Sequence, residues 1–394
     1  MDPTIFIKYP LIVLKTVGLG MTHTPNDKER YRFQAGWLFI VSISNLLFNI
    51  IGQFNEVWLG IRSGGPLNSW VIHIVASSFM LSAISKAILI VLKSQCFSVL
   101  LNELNCIFPT ARKDQKQYHL NDYLRKFEKI SLTIGAIQLI LNFHYGFNTM
   151  LINYNYSPRA ANETHNLILP FGDHYPFYSH TRTQFILMTI SQFWSGQTCT
   201  ALSFIANTFV VGFVWQLCMH YNHLKDKLKF FDETESEISE KEHLIWCIKK
   251  QNQLDEVFDQ LNNACSLVTM FGLMCICIEL VLFCFMGITL TKPTDYIFNV
   301  VGALSAILES YVLCSFSQIL TDSTIEAKQA IYESNWTNKS VNYRRAMVLM
   351  IQQNNRTITL KAYKFADLSI EMFGSILKFS YRLVTLLLNT SQYK

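Results

Sequence analysis

The chain has 394 residues, of which half are hydrophobic and only 15% charged, against about 25% charged in an ordinary soluble chain. That balance, with a positive mean hydropathy, excludes a typical soluble enzyme and points to a polytopic membrane protein. The net charge of +5 becomes informative only through its placement, because orientation depends on where Lys and Arg lie.

Residues 1–34 read as a polar, partly amphipathic leader ending in Lys28, Arg30 and Arg32. Lys8 and Lys15 interrupt its apolar run and no small-residue cleavage site follows, so no cleavable signal peptide is expected. A first span runs about 35–59, and a Gly-Gly-Pro turn leads to a second at about 70–92, with Lys86 placed to snorkel outward. Residues 93–128 form a polar connection and the third span is about 130–153. An aromatic- and His-rich loop follows over 154–183, with His165, His174 and His180 expected at the surface. The fourth helix, about 184–218, exceeds what a bilayer needs. A charged segment, 219–257, has a central acidic run with the composition of a mobile linker. Spans five and six lie at about 262–290 and 295–320, joined by the turn TKPTD, and a polar helical segment covers 322–365. No internal repeat is visible.

The last span reads DLSIEMFGSILKFSYRLVTLLLN, residues 367–389, long enough to cross a bilayer at about 20 residues. At 100° per residue Asp367, Glu371, Lys378 and Arg382 share one stripe, while Ile370, Phe373, Leu377, Tyr381, Val384 and Leu388 fall on another face. Charges in a spanning helix turn toward protein or water. A helix around a wet axis and a packing helix with snorkelling ends both fit the pattern.

Seven spans place the termini on opposite sides. The connections on the N-terminal side carry 24 Lys and Arg, and those on the other side carry five: Arg62, Arg159, Arg182, Lys292 and Lys394. The positive-inside rule then sets the N-terminus in the cytoplasm and the C-terminus outside, opposite to a G-protein-coupled receptor. There is also no cysteine in an outer loop, no Asp-Arg-Tyr after the third span and no NPxxY in the seventh. The fold class expected is an all-α membrane protein of seven transmembrane helices with a cytosolic helical anchor region. Its parts are a cytosolic segment 1–34, a six-helix bundle 35–321, an anchor 322–365, and the seventh helix with a short tail, 366–394.

The run from Ala330 to Asn389 carries Asn335-Trp336, Arg344-Arg345, Leu360-Lys361-Ala362 and Ser380-Tyr381 followed by Thr385-Leu386-Leu387. These pieces, over roughly 325–390, resemble the last cytosolic segment and pore helix of the insect odorant receptor family; topology and length carry the likeness over the rest. Related gustatory receptors end with a Thr-Tyr and a Gln-Phe, where this chain has Ser380-Tyr381 and Leu387-Leu388. The second cytosolic loop is much shorter than that of the family's co-receptor, so the chain looks like a ligand-specific subunit.

That resemblance implies a tetrameric, odorant-gated, non-selective cation channel formed with the co-receptor in the plasma membrane of an olfactory neuron dendrite. The implied partners are a small volatile apolar odorant, the co-receptor and membrane lipid, with no nucleic acid. Aligned by Tyr381, Val384 and Leu388 fall on the family's outer hydrophobic constriction, with Leu387 at the co-receptor's pore-mouth Gln. The resemblance also puts the ligand pocket in the outer half of the bundle, between the second, third, fourth and sixth helices. The candidates there are Ile72, His73, Ala76, Phe79 and Met80; Phe143, Phe147, Met150 and Tyr154; Phe185, Met188 and Gln192; and Phe298 and Gly302. His73 and Gln192 are the candidate donors to an ester, ketone or alcohol. Such a stripe is more often plain core than pocket, and polar groups of this kind are more often satisfied by a neighbouring helix.

Sequons occur at Asn162, Asn335, Asn338, Asn355 and Asn389, of which Asn162 alone lies in a roomy outer loop and is the expected glycan site. Arg344 and Arg345 are candidate contacts for acidic partners, and AMVLMIQQ (346–353) is apolar enough for a subunit interface. His220 and His223 are a weak metal signal. With no phosphate-binding Gly loop, nucleophile elbow or zinc motif, no cofactor and no enzymatic chemistry are expected. A gustatory-type channel of the same fold and a metabotropic seven-helix receptor remain the alternatives.

Overall fold

The computed structural model describes residues 3–23, 31–65, 67–155, 169, 175, 181–229, 237–289, 293–353, 358–363 and 366–392. A 3-10 turn, Pro3–Ile7, leads into α1 (Lys8–Thr16) and the strand pair β1 (Leu19–His23) and β2 (Tyr31–Ala35). Then come α2 (Trp37–Arg62), α3 (Leu67–Leu92), α4 (Ser94–Ile107), α5 (Arg112–Gln117) and α6 (Leu120–Asn155). The long helices α7 (Arg182–Lys229), α8 (Glu237–Thr289) and α9 (Pro293–Glu333) follow. A short α10 (Val341–Gln353), the small hairpin of β3 (Lys361–Ala362) and β4 (Ala366–Asp367), and α11 (Ile370–Gln392) complete the described chain. The protein is an all-α membrane protein apart from these two small antiparallel hairpins, paired Leu19 to Ala35 and Lys361 to Asp367.

Each expected span overlaps a long helix. Five of these helices are long and apolar enough to cross a membrane: Trp37–Arg62, Trp70–Leu92, Arg182–Lys229, Glu240–Thr289 and Asn299–Asn338. α6 and α11 cover the other two expected spans, α11 with Glu371, Lys378 and Arg382 along it. A helix that is apolar all round belongs inside its bundle, and α7, with the run FIANTFVVGFV, behaves that way. Within its apolar window 94% of residues are buried, against 39% for α2. α7 packs against α9, α3, α6 and α2, and α8 closes the bundle against α3 and α9. α2 turns Trp37, Ile40, Ile51, Phe54 and Trp58 outward, the surface expected to meet lipid.

The structure corrects four local expectations. The leader is part of the core, because Phe6, Ile7, Leu14, Val17 and Leu19 are all buried. Phe6 lies with its ring 5.9 Å from Phe127 and its carbonyl against Gly212. The connection 93–128 contains α4, whose Phe97, Leu100, Leu101 and Leu104 repeat at helical spacing and are buried. The last helix begins at Ile370 rather than Asp367, since Asp367 pairs in β4 and Ser369 Oγ accepts from Met372 N at 3.1 Å as its cap. Finally, Lys86 does not reach outward; it is buried and paired, as described below.

Toward the end holding α4, α5 and α10, the long helices are tied by Lys225–Glu326 at 2.9 Å, Lys229–Glu333 at 2.6 Å and Lys339–Glu240 at 3.8 Å. The first two, the more exposed pairs, contribute about 0–1 kcal/mol each. Burial of one large apolar side chain contributes about 1.5–3 kcal/mol, so Met347 and Met350 on α10 and Leu254 on α8 outweigh them. α10 buries that face in its own subunit and leaves Val348 and Leu349 exposed.

Candidate functional site

α3, α6, α7, α8 and α9 enclose a cavity of about 450 Å³, within the 300–1,000 Å³ usual for small-molecule sites. Helical spacing supplies its walls. Ala76, Phe79 and Met80 share one face of α3, and Ile130, Ile134 and Ile137 one face of α6. Gly196 and Thr200 open α7 toward it, and Val312 and Phe316 close it from α9. Gly302 has a specific reason to be glycine: an added Cβ would stand 2.6 Å from the Phe283 ring, so α8 and α9 approach here only without a side chain.

The cavity is mostly apolar, with Gln138 and Asn142 on its α6 wall and one buried charged cluster. Lys86 Nζ donates to Glu309 Oε1 at 2.8 Å, and Asn207 Nδ2 donates to the same oxygen at 2.7 Å. Glu279, also buried, lines the cavity beside them, and its Oε1 has no hydrogen-bond partner. One cation and two carboxylates therefore sit inside the helix bundle. Removal of an ion from water costs several kcal/mol, recovered only by good pairing. The sequence reading missed Glu279, Glu309 and Asn207. The signal was present, since an ionisable residue inside an apolar span marks a site by default.

Of the expected ligand-site residues, Ala76, Phe79, Met80 and Gly302 line this cavity. The others whose side chains are described are placed elsewhere. Ile72 packs on Val71, Phe285 and Met286. His73 Nδ1 meets Gln53 Oε1 at 2.9 Å. Phe185 and Met188 join Phe48, Leu169 and Tyr175 in a separate cluster. Gln192 is fully buried and donates to the Tyr175 hydroxyl at 3.1 Å, which in turn donates to Asn49 Oδ1 at 2.9 Å. Phe143 is 58% exposed. The side chains of Phe147, Met150, Tyr154 and Phe298, and all of Asn162, lie outside the described residues.

α11 packs against α8 and α9. Its inward face carries Ile376, Ser380 and Val384, the last only 6% exposed, while Leu387 and Leu388 rest on the Val71–Phe285–Met286 cluster. The outward face carries Glu371, Lys378, Arg382 and Leu386, with Tyr381 at its edge, 71% exposed. Of the residues expected at the constriction, Val384, Leu387 and Leu388 thus turn toward the subunit's own helices while Tyr381 is exposed, and the charged stripe is outward. The reason is packing: Val384 fits the apolar wall of the bundle, where Lys378 and Arg382 would be stranded.

Away from the cavity, His220 and His223 pack around Tyr118, whose ring stacks on His223 at 3.7 Å and meets His220 edge-on at 5.3 Å. Burial, with Lys227 and Lys250 nearby, lowers the His223 pKa to about 4; burial, with Lys250 and His223, depresses His220 as well.

A family model described as "7tm Odorant receptor" matches residues 69–381. Odorant receptor 85c of Drosophila melanogaster is 23% identical over 388 residues, covering 97% of this chain and 98% of its own. Odorant receptor 85b of the same organism is 21% identical, covering 97% of each. Among solved structures, the insect olfactory receptor OR5 from Machilis hrabei superposes with a TM-score of 0.80 at 12% identity over 98% of each chain. A second structure of that receptor, in complex with eugenol, matches to the same degree.

Proposed function

The chain belongs to the odorant receptor family, and from that premise we propose that it is the ligand-binding subunit of an odorant-gated cation channel, assembled with the family's co-receptor. The observation that carries this reading is the cavity of about 450 Å³ between α3, α6, α7, α8 and α9. Its size and apolar walls suit a small volatile, and the eugenol complex of a receptor with the same fold supports an odorant as the occupant. Ala76, Phe79, Met80 and Gly302 are the contacts retained for it. The excess of Lys and Arg in the connections on the N-terminal side supports a cytoplasmic N-terminus, in the plasma membrane of an olfactory neuron dendrite.

Ligand binding between α8 and α9 reaches α11 directly, because α11 packs on both. A change in their separation at Gly302 shifts the helix proposed to line the conduction path. In the assembled channel the outward face of α11, with Tyr381 and Leu386, meets the pore or the neighbouring subunit, and rings of apolar side chains there gate by dewetting. The test is recording from cells expressing the subunit with and without the co-receptor against an odorant panel. Ligand-dependent cation current only with both, abolished by the cavity-filling Met80→Trp at normal surface level, is the expected result. Ligand-evoked signalling through a G protein without current would overturn it.

A further inference from the structure

A second concavity runs along the outside of the bundle between α1, α6 and α7, with Gln138 and Thr200 dividing it from the odorant cavity. It measures about 1410 Å³, beyond the roughly 300–1,000 Å³ usual for a small ligand. Its walls are apolar and face outward: Leu132, Leu139, Ile190 and Phe193 are each at least 42% exposed. The Trp194 indole is held in place, Nε1 donating to Ser42 Oγ at 3.3 Å. The α7 wall from Phe185 to Phe204 is about 28 Å long at a rise of about 1.5 Å per residue. That nearly matches a bilayer hydrocarbon core of about 30 Å, so the groove has room for a lipid tail along its full length.

α1 forms the third wall with Tyr9, Val13 and Thr16. Its next face carries Lys8, Ile12 and Lys15 at i, i+4 and i+7. These three rim a smaller basin of about 470 Å³, and Ile12 borders both hollows. Both lysines are exposed, and no acidic residue is among the described residues of the basin. The carboxylate of Glu128, on α6, is engaged at Tyr9. A basic hollow joined to a long apolar one has the two-part chemistry of a phospholipid. Basic amphipathic helices at a membrane surface attract anionic lipid, which is concentrated in the cytoplasmic leaflet. The cytoplasmic N-terminus proposed above places α1 there.

We propose that the groove between α1, α6 and α7 binds one phospholipid with an anionic headgroup, its tails along α6 and α7 and its headgroup between Lys8 and Lys15. A zwitterionic lipid fills the apolar part equally well but gains little from the two lysines, so headgroup charge sets the preference. The bound lipid covers the apolar faces that α1 and α7 leave open and fastens α1 to the bundle. The site is independent of what fills the odorant cavity.

The receptor, assembled with its co-receptor, is reconstituted in phosphatidylcholine vesicles. Each preparation holds a trace of phosphatidylserine or of phosphatidylcholine with the same photoreactive diazirine tail. Labelled peptides of this subunit are then read by mass spectrometry. Two lysines near the membrane surface favour the anionic probe by about ten- to thirtyfold, so it is expected to label residues 131–139 and 185–204 by that margin. The double variant Lys8→Gln, Lys15→Gln brings the two probes to within about threefold, and Lys8→Arg, Lys15→Arg keeps the gap. Lys113→Gln, Lys116→Gln, a change of two exposed lysines on α5, also keeps it, which separates the site from a general attraction to basic surface. Ala136→Trp, which fills the groove from α6, removes labelling of these peptides by both probes. Glycerophosphoserine, a headgroup without tails, displaces neither. Equal labelling by the two probes in the natural receptor would overturn the proposal, as would a full gap in the glutamine pair at normal surface level. So would displacement by glycerophosphoserine, unchanged labelling in a surface-delivered Ala136→Trp, or no label in these peptides at all, which would mean that another protein surface covers the groove.

Discussion

Lys86 and Glu309 meet at 2.8 Å inside the helix bundle, the lysine only 3% exposed. Loss of one member of such a pair strands the other charge and costs about 3–5 kcal/mol, whereas replacement of both by apolar residues is often neutral. Lys86→Met is therefore expected to abolish surface delivery, and the double variant Lys86→Met, Glu309→Met to recover part of it. Surface labelling of the singles and the double reads this directly. A double variant worse than the sum of the singles would show that the pair is not what holds these helices together.

The cavity predicts which aromatic residues matter to ligands. Phe79→Ala enlarges a wall of the site and should reorder the agonists while leaving a folded receptor; truncation of a fully buried Phe costs about 3–5 kcal/mol, and Phe79 is only partly buried. Phe143→Ala, at a position more than half exposed, should leave the agonist order unchanged. The opposite pattern would move the site to the Phe143 end of α6.

On α11 the two faces are expected to respond differently to serine. Leu386→Ser, outward, should raise the resting current by easing wetting of the conduction path. Val384→Ser, inward and buried, should instead lower the surface level by roughly the 1–3 kcal/mol of a poorly satisfied buried hydroxyl. Resting leak from Val384→Ser at full surface level, with Leu386→Ser silent, would mean that the helix turns on assembly.

The Tyr118–His220–His223 group makes stability pH-dependent. The folded His223 pKa lies near 4, below the ordinary 6.5, and His220 is displaced the same way. The unfolded chain thus binds more protons than the folded one between these values, so stability is full above about pH 6.5 and is lost as pH falls toward 4. The groups facing this pair are Tyr118, Asp114, Lys227 and Lys250. Melting of the detergent-solubilised receptor across that window should flatten in His223→Phe, which keeps the stack on Tyr118. A wild-type melting temperature constant from pH 7 to 4.5 would contradict the assignment.

The positions of the long helices were legible because apolar runs of bilayer length leave little choice, and each expected span overlaps one of them. The buried leader was not legible. Phe6, Ile7 and Leu14 become core only because α7 offers Gly212 and its neighbours, a contact that no local pattern encodes. The site was half legible. Ala76, Phe79 and Met80 came from the resemblance and line the cavity, but His73 and Gln192 are engaged by partners on α2 and by Tyr175. The face of α11 was not legible, because periodicity divides a helix into two seams without saying which one the bundle takes. Lys86 was misread for a related reason: snorkelling and pairing look identical until Glu309 is seen opposite.

The docking of Phe6 against Gly212 and Phe127 has a consequence for biogenesis. Phe6 can complete this packing only once α7, far downstream of it, has been made and is in place. This segment thus closes over the bundle only after α7 has formed, and its seating reports that α6 and α7 have come together correctly. A bulky fusion placed directly ahead of Phe6 would hinder that closure, and quality control in the endoplasmic reticulum would meet an open hydrophobic groove along α7.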